Sequence, residues 1–333
     1  MIIINKAILH ILDFNSGITV FSDEELTIEN SVETFLLKHI EKSLSDQNAK
    51  NGIFYKDSSF KAKISSYIKE EISFIDFSKY IVETVSKAIT HSEEMESADL
   101  LVCDIQIEGI RNLVIFKCNN HIGFVHQVIQ TEAGVKNDII NHHAIMPGLS
   151  QKIDEFAFIN LETQQISFSA KKYTLDGNNI YILPEILLEC TSSPSPKEII
   201  KTVSQTAKKI ADDYGQDTIV AATAVKTFIA ENVQNTNQLD PLEIGREVFK
   251  DNLAMQADYD RQIKETGFTG SVIVDQESIL KKMKNHKLKT DTGIELTIPL
   301  DYFNNTDYVE FNNNTDGSIS IVLKHILNIS NRS

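Results

Sequence analysis

The strongest chemical signal in the chain is a concentration of ammonium groups. Five lysines, Lys281, Lys282, Lys284, Lys287 and Lys289, fall within the first nine residues of "KKMKNHKLKTDTGIEL", and His286 is expected to add its charge below neutral pH. Closely spaced cations repel one another, and a counter-anion relieves them: a phosphate, or an acidic protein surface. The plain alternative is a solvated strand edge whose lysines block pairing with other chains. Lys197, Lys201 and Lys208 offer a secondary basic face. At 100° per helical residue they lie within roughly 40° of one another, opposite an apolar side, and a solvated helix face accounts for them.

Other chemistries are poorly supported. The chain has no G-x-x-x-x-G-K-[ST] and no G-x-G-x-x-G phosphate loop. Gly267 and Gly270 match the spacing of the G-x-x-G clamp of KH domains, but a turn ahead of "SVIVD" is the simpler reading. No G-x-S-x-G elbow or H-E-x-x-H helix occurs. Metal-dependent phosphodiester cleavage needs clustered carboxylates. Asp104 and Lys117 fall in a strand-rich stretch, yet nothing acidic sits two positions before the lysine, so that signature fails. His142 and His143 are adjacent on an expected strand and point to opposite faces, and the five-residue spacing of His121 and His126 has the same result. His325 shares the parity of Ile321 and Leu323 and is expected to be a partly buried edge residue. No metal, no cofactor and no catalytic residue are therefore expected.

The elements that must carry these residues follow from hydrophobic period and punctuation. The pattern predicts an α+β protein with a mixed N-terminal region (residues 1–194) containing an antiparallel β-meander, a helical middle (195–266), and a small β-rich C-terminal unit (267–333) with the basic island. In the first region, Asn15-Ser16-Gly17 marks a hairpin, and Glu29 to Ser45 and Ile64 to Ile89 read as helical, with an interruption near Ile72 to Phe77. "DLLVCDIQIEGIRNLVIFKCNNHIGFVHQVIQ" holds three apolar runs broken at Gly109 and Asn119-Asn120, as in a meander. Ile105 and Ile107 alternate with Asp104, Gln106 and Glu108, which predicts one wet face. Further strands are expected at Ile139 to Ile145, Phe156 to Leu161, Ile166 to Ala170 and Ile180 to Leu183.

"TSSPSPKEII" marks the first boundary: Ser195 is a candidate N-cap, with Pro196 at N1 and Glu198 at N3, and the helix should stop at Gly215. Asp240, Pro241 and Glu243 repeat that signal. Asp275 can cap a short helix, after which a strand turns Leu288 inward and Lys287 and Lys289 to its other side. "DTG" and "NNNTDG" then supply turns between alternating strands.

Composition limits what the lysines can do. The 333 residues carry 32 basic and 47 acidic side chains, a formal charge of −15. That average field argues against wholesale wrapping of DNA or of an anionic membrane, so phosphate contacts must be local. Cys103, Cys118 and Cys190 lie in apolar runs without C-x-x-C spacing, as in a reducing compartment. "MIIINKAILH" lacks a basic leader and a cleavage site and reads as a first strand, and no apolar run reaches the ~20 residues of a membrane span. A soluble, intracellular protein is expected.

Two stretches give the chain a family likeness. They are "HHAIMPGLSQKIDEFAFINLETQQISFSAKK", with Pro147, Asp154 and Glu155, and "HKLKTDTGIELTIPLDYFNNTDYVEFNNNTDGSISIVLKHI", with Thr290, Asp291, Gly293, Pro299, Asp316 and Gly317. As whole-length patterns they resemble the 37-kDa nucleoid-associated bacterial proteins, the NdpA-like family, essentially from end to end. The resemblance implies a cytoplasmic protein located with the chromosome, and it carries over no catalytic residues. Asp291, Gly293 and Pro299 look architectural. The resulting expectation is a non-enzymatic nucleoid protein that holds double-stranded DNA weakly and salt-sensitively through the lysine patch. A homodimer is the candidate assembly, and no membrane is involved. The alternatives are an adaptor whose acidic surface docks a DNA-bound enzyme, or a DNA-processing or defence enzyme whose site is assembled from distant residues.

Overall fold

The computed structural model describes the chain except Asn15, Ser16, Asn304 and residues 331–333. The chain forms two compact units, Met1–Ser195 and Pro196–Ser333. Its α+β architecture is as the hydrophobic periods predict.

The first unit is built on β1 (Ile2–Asp13), β2 (Ile18–Val20), α1 (Asn30–Leu44), β3 (Lys50–Gly52), α2 (Ser59–Ile68) and α3 (Phe74–Thr90). Then come β4 (Ala98–Ile107), β5 (Ile110–Asn119), β6 (His121–Thr131), β7 (Gly134–Ile145), β8 (Glu155–Asn160) and β9 (Ile166–Ser169). A small hairpin, β10 (Tyr173–Leu175) and β11 (Asn178–Ile180), leads into a π-helical turn, Ile182–Leu187. The principal sheet has seven strands in the order β2-β1-β4-β5-β8-β9-β3, and every pairing is antiparallel. The β1–β2 hairpin stands where Asn15-Ser16-Gly17 predicts it. Gly17 takes φ 70°, and Asn15 and Ser16 lie outside the described residues.

Three local expectations change. The third apolar run, β6, leaves the sheet and pairs with β7 in a separate ribbon, so β8 takes the place beside β5. The wet face expected on β4 is closed at Asp104, which is buried because cores cover the sheet on both sides, whereas Gln106 is half-buried and Glu108 exposed. Leu100 and Val102 pack beneath Phe60, Phe77 and Ile81 of α2 and α3, whereas Leu101 and Cys103 pack with Leu36 and Ile40 of α1. Finally, Leu183 belongs to the π-helical turn and not to a strand, since Pro184 has no N–H to offer a ladder.

Two polar networks make that burial tolerable. Arg111 Nη2 lies 2.6 Å from Asp104 Oδ2, and Asn5 Nδ2 and the Tyr67 hydroxyl donate to the same carboxylate at 3.0 and 2.5 Å. Burial alone would raise the pKa of Asp104, but these three donors overcome it and hold the group below its ordinary value. On the same face of the sheet, Lys117 of β5 sits opposite Glu155 of β8, and both side chains are fully buried. Its carboxylate partner thus comes from the neighbouring strand and not from its own.

The second unit begins with α4 (Pro196–Asp213), α5 (Thr218–Thr236), β12 (Gln238–Leu239), α6 (Pro241–Val248) and α7 (Leu253–Thr266). It continues through β13 (Val272–Ile273), α8 (Gln276–Met283), β14 (Asn285–Lys289), β15 (Glu295–Pro299), α9 (Leu300–Phe303), β16 (Val309–Asn313) and β17 (Ile319–Leu323). Asp240 caps α6 by accepting from the amides of Leu242 and Glu243 at 2.9 and 3.1 Å. The helices share one core, in which Ile199, Val203, Val225, Ile229, Met255 and Tyr259 meet Ile279 and Met283 of α8. A smaller cluster, including Ile298, Phe303 and Val309, joins the C-terminal hairpins.

Candidate nucleic-acid interface

The basic island is positioned by the core beneath it. Asp275 accepts from the Ser278 amide at 2.7 Å and starts α8, whose Ile279 and Met283 are buried. Lys281 and Lys282 are thereby turned outward in the last turn, where cations complement the helix C-terminus. Lys284 follows as the C-cap, and its carbonyl accepts from the Leu300 amide at 2.9 Å, tying the end of α8 to the end of β15. In the β14–β15 ladder, His286 faces Ile298 and Leu288 faces Leu296 on the inner side. Lys287 and Lys289, opposite Thr297 and Glu295, take the outer side.

All five island lysines are exposed. Lys289 Nζ lies 3.1 Å from Glu295 Oε1, an ion pair open to solvent. Lys287 has no carboxylate within ion-pair reach among the described residues. Such a surface can position phosphates by charge. Among the described residues no group of three or more His, Cys, Asp or Glu could hold a metal ion.

His286 does not join the island. It stacks on Phe303, with centroids 4.1 Å apart and planes 18° from parallel, and is 4% exposed. Burial, with Lys226 and Lys208 nearby, lowers its pKa to about 4. The added charge expected below neutral pH is therefore missing on the lysine face, because strand parity sends His286 inward. His325, expected to be partly buried, is exposed with φ 58°, since the chain has left β17 before reaching it.

On α4, Lys197, Lys201 and Lys208 are all exposed. Lys208 is set apart by its electrostatic influence on His286 and on Lys226 of α5. Lys226 escaped the sequence reading. Its signal was available, as the one charged residue in the apolar and small-residue run "IVAATAVKTFIA" of α5.

The β6–β7 ribbon presents a different surface. Phe124 and Ile139 are each 74% exposed, and strand pairing sets both on one face with the exposed Val128 and Val135. The cysteines offer no reactive thiol: all three are buried, and burial raises Cys118 and Cys190 to about 12. No helix among the described residues is long and apolar enough to cross a membrane.

An acidic α+β protein with a local, solvent-facing lysine cluster and no described metal cluster is thus the class that fold and surface define. Within it, the model of the family described as nucleoid-associated protein YejK matches residues 8–330, and the chain belongs to that family. No curated protein matches it.

Proposed function

We propose that this protein is a non-enzymatic component of the bacterial nucleoid, cytoplasmic, and held to double-stranded DNA through Lys281, Lys282, Lys284, Lys287 and Lys289. The observation that carries this reading is the placement of Lys287 and Lys289 on the outer face of β14, with Lys287 unneutralised, in a member of a nucleoid-associated family. Binding is weak at physiological salt, and its salt sensitivity takes the form of a shallow slope, because few counterions can be displaced by so small a patch on a chain of charge −15. The test is the Lys287→Ala, Lys289→Ala double variant, compared with wild type for DNA affinity across a salt series and for chromosome localisation. Reduced affinity with a shallower salt slope supports the reading. Unchanged affinity and unchanged localisation make the island a solvated strand edge.

A specific feature of the second unit supports the adaptor alternative. A cleft of about 630 Å³ has Val220, Phe228, Val248 and Phe311 in its wall and Asp217, Glu231, Glu247 and Glu310 around it, of which Glu247 pairs with Lys250 and Glu310 with Lys324. The fitting occupant is a basic, apolar segment of a DNA-bound protein. If the lysine variant loses localisation but keeps its DNA affinity, this reading replaces the first.

The ribbon supports a homodimer. An isolated two-stranded ribbon is marginal in water, and this one leaves apolar side chains open on both faces, with Val125 and Ile140 opposite the Phe124 side. Between His121 and Ile145 it holds Lys136 against Glu132 and Asp138, a net charge of −1, so a second copy meets little repulsion here. About ten residues per strand give one face roughly 350 Å², and two such faces fall short of the ~1,200 Å² of a stable interface. We therefore assign the ribbon as an arm that clasps the second copy with both faces.

A further inference from the structure

The chain beyond β17 carries aliphatic side chains that no core covers. Ile326 is 50% exposed, Ile329 84%, and Leu327 is fully exposed. Apolar surface concentrated in so short a segment marks a contact. Its point of departure is fixed. Leu323 pairs with Val309 at the end of β17, and the Lys324 amide donates to the Tyr308 carbonyl at 2.9 Å. Lys324 Nζ reaches the Thr306 carbonyl at 3.2 Å and Glu310 Oε2 at 2.5 Å. Thr306, Val309 and Glu310 all line the cleft of about 630 Å³, so the segment leaves from the rim of that cleft. His325 then takes φ 58°, its ring 5.8 Å from that of Tyr308, and the side chains beyond it stand in solvent.

Cleft and segment are complementary in chemistry. The apolar wall includes Val220, itself 65% exposed. Of the carboxylates around the cleft, Asp217 and Glu231 have no ion pair among the described residues. From Gly317 onward the sequence holds Lys324, His325 and Arg332 and no acidic residue. We propose that residues 326–329 of one copy dock in the cleft of a second copy, which returns the contact with its own segment. The bend at His325 leads the segment away from its own cleft, and a second copy's cleft receives it. Because each segment starts beside a cleft, two copies set rim to rim need a reach of only ~10 Å, three extended residues from Lys324 to Leu327. A twofold axis closes the exchange, so it makes a pair and not a filament. The inference rests on the homodimer proposed above. It adds to the ribbon, since a few aliphatic side chains per copy fall well short of the ~1,200 Å² of a stable interface. It also gives the cleft an occupant from this chain in place of a DNA-bound protein.

The intact chain has no tryptophan, so Leu327→Trp introduces a single reporter. Fluorescence and light scattering are recorded on the same samples over a dilution series. In the pair the emission should be blue-shifted and shielded from acrylamide. Dilution to the monomer and the cleft variant Val220→Glu should each return it to that of an exposed indole; Val220 is exposed, so this change spares the core. In an otherwise wild-type chain, Leu327→Asp should weaken the pair by about a hundredfold, about tenfold for each of the two side chains withdrawn. A shielded indole that persists in the monomer places the segment in its own cleft. An indole equally exposed in pair and monomer leaves the cleft to another partner. Either result overturns the inference while the homodimer stands. A protein monomeric at every concentration removes the homodimer and the exchange together.

Discussion

Lys117 and Glu155 stand directly opposite one another on neighbouring strands, with Nζ 2.8 Å from Oε1 and neither side chain touching solvent. The Tyr173 hydroxyl accepts from Lys117 at 2.7 Å and donates to Glu155, while Asn119 Oδ1 accepts from Lys117 as well. Every proton of the ammonium is used, so the network is closed. Lys117→Met would leave a buried carboxylate without its cation, at a cost of about 3–5 kcal/mol. Adding Glu155→Gln should recover part of that loss, because the uncompensated charge is gone. Urea unfolding of the two variants checks both statements. A single variant as stable as wild type would mean that water reaches Glu155.

Acid should weaken the second unit through His286. Its folded pKa of about 4 lies below the ordinary 6.5, so the unfolded chain takes up the proton first as pH falls. The stabilising contribution is complete above pH 6.5 and is lost progressively down to about pH 4. Lys226 and Lys208 oppose protonation, and Phe303 stacks on the neutral ring. Between pH 7 and pH 4.5, in buffers without phosphate, wild type should lose about 2 kcal/mol more than His286→Phe. Equal losses in the two proteins would place the folded pKa near its ordinary value.

Gly245→Ala should destabilise, against the usual preference of a helix for alanine. A Cβ at this position of α6 would lie 2.0 Å from the Tyr259 ring of α7. That ring is fully buried, and its hydroxyl donates to the Pro241 carbonyl at 3.0 Å, so it has little freedom to retreat. Overpacking of this kind costs about 1–3 kcal/mol or more, which exceeds the gain of about 1 kcal/mol in helix propensity. Thermal unfolding gives the sign directly.

Within the island, the lysines should contribute unequally. Lys287→Ala should lower the log–log salt slope of DNA binding by ~0.9, whereas Lys289→Ala should lower it less because Glu295 already neutralises Lys289. Glu295→Gln should then tighten binding. Filter or fluorescence titrations over a salt series separate the three variants. Equal slopes for all of them would remove this face of β14 from the interface.

Loss of the clasping ribbon should yield a monomer. Phe124→Asp with Ile139→Asp places charge on the exposed apolar face without touching a core residue. Light scattering should show a twofold smaller particle, with unfolding shifted only slightly. A monomeric wild-type protein would sink the dimer outright.

Local chemistry was legible in the sequence wherever a few neighbouring residues decide the outcome. Asp240-Pro241 and Asp275 start helices because a carboxylate and a missing amide act within one turn. Gly293 and Gly317 take positive φ in their turns, and the period of two alone sets Lys287 and Lys289 against Leu288. Period says which side a residue takes but not what covers that side. Tertiary structure therefore decided that Asp104 is buried beneath Tyr67 and Arg111 and that β6 abandons the sheet to β8. It also brought Glu155 to Lys117 across 38 residues of chain. The stack of His286 on Phe303 has the same origin, because the two rings lie on different elements and only the packing of α9 beside β14 brings them together.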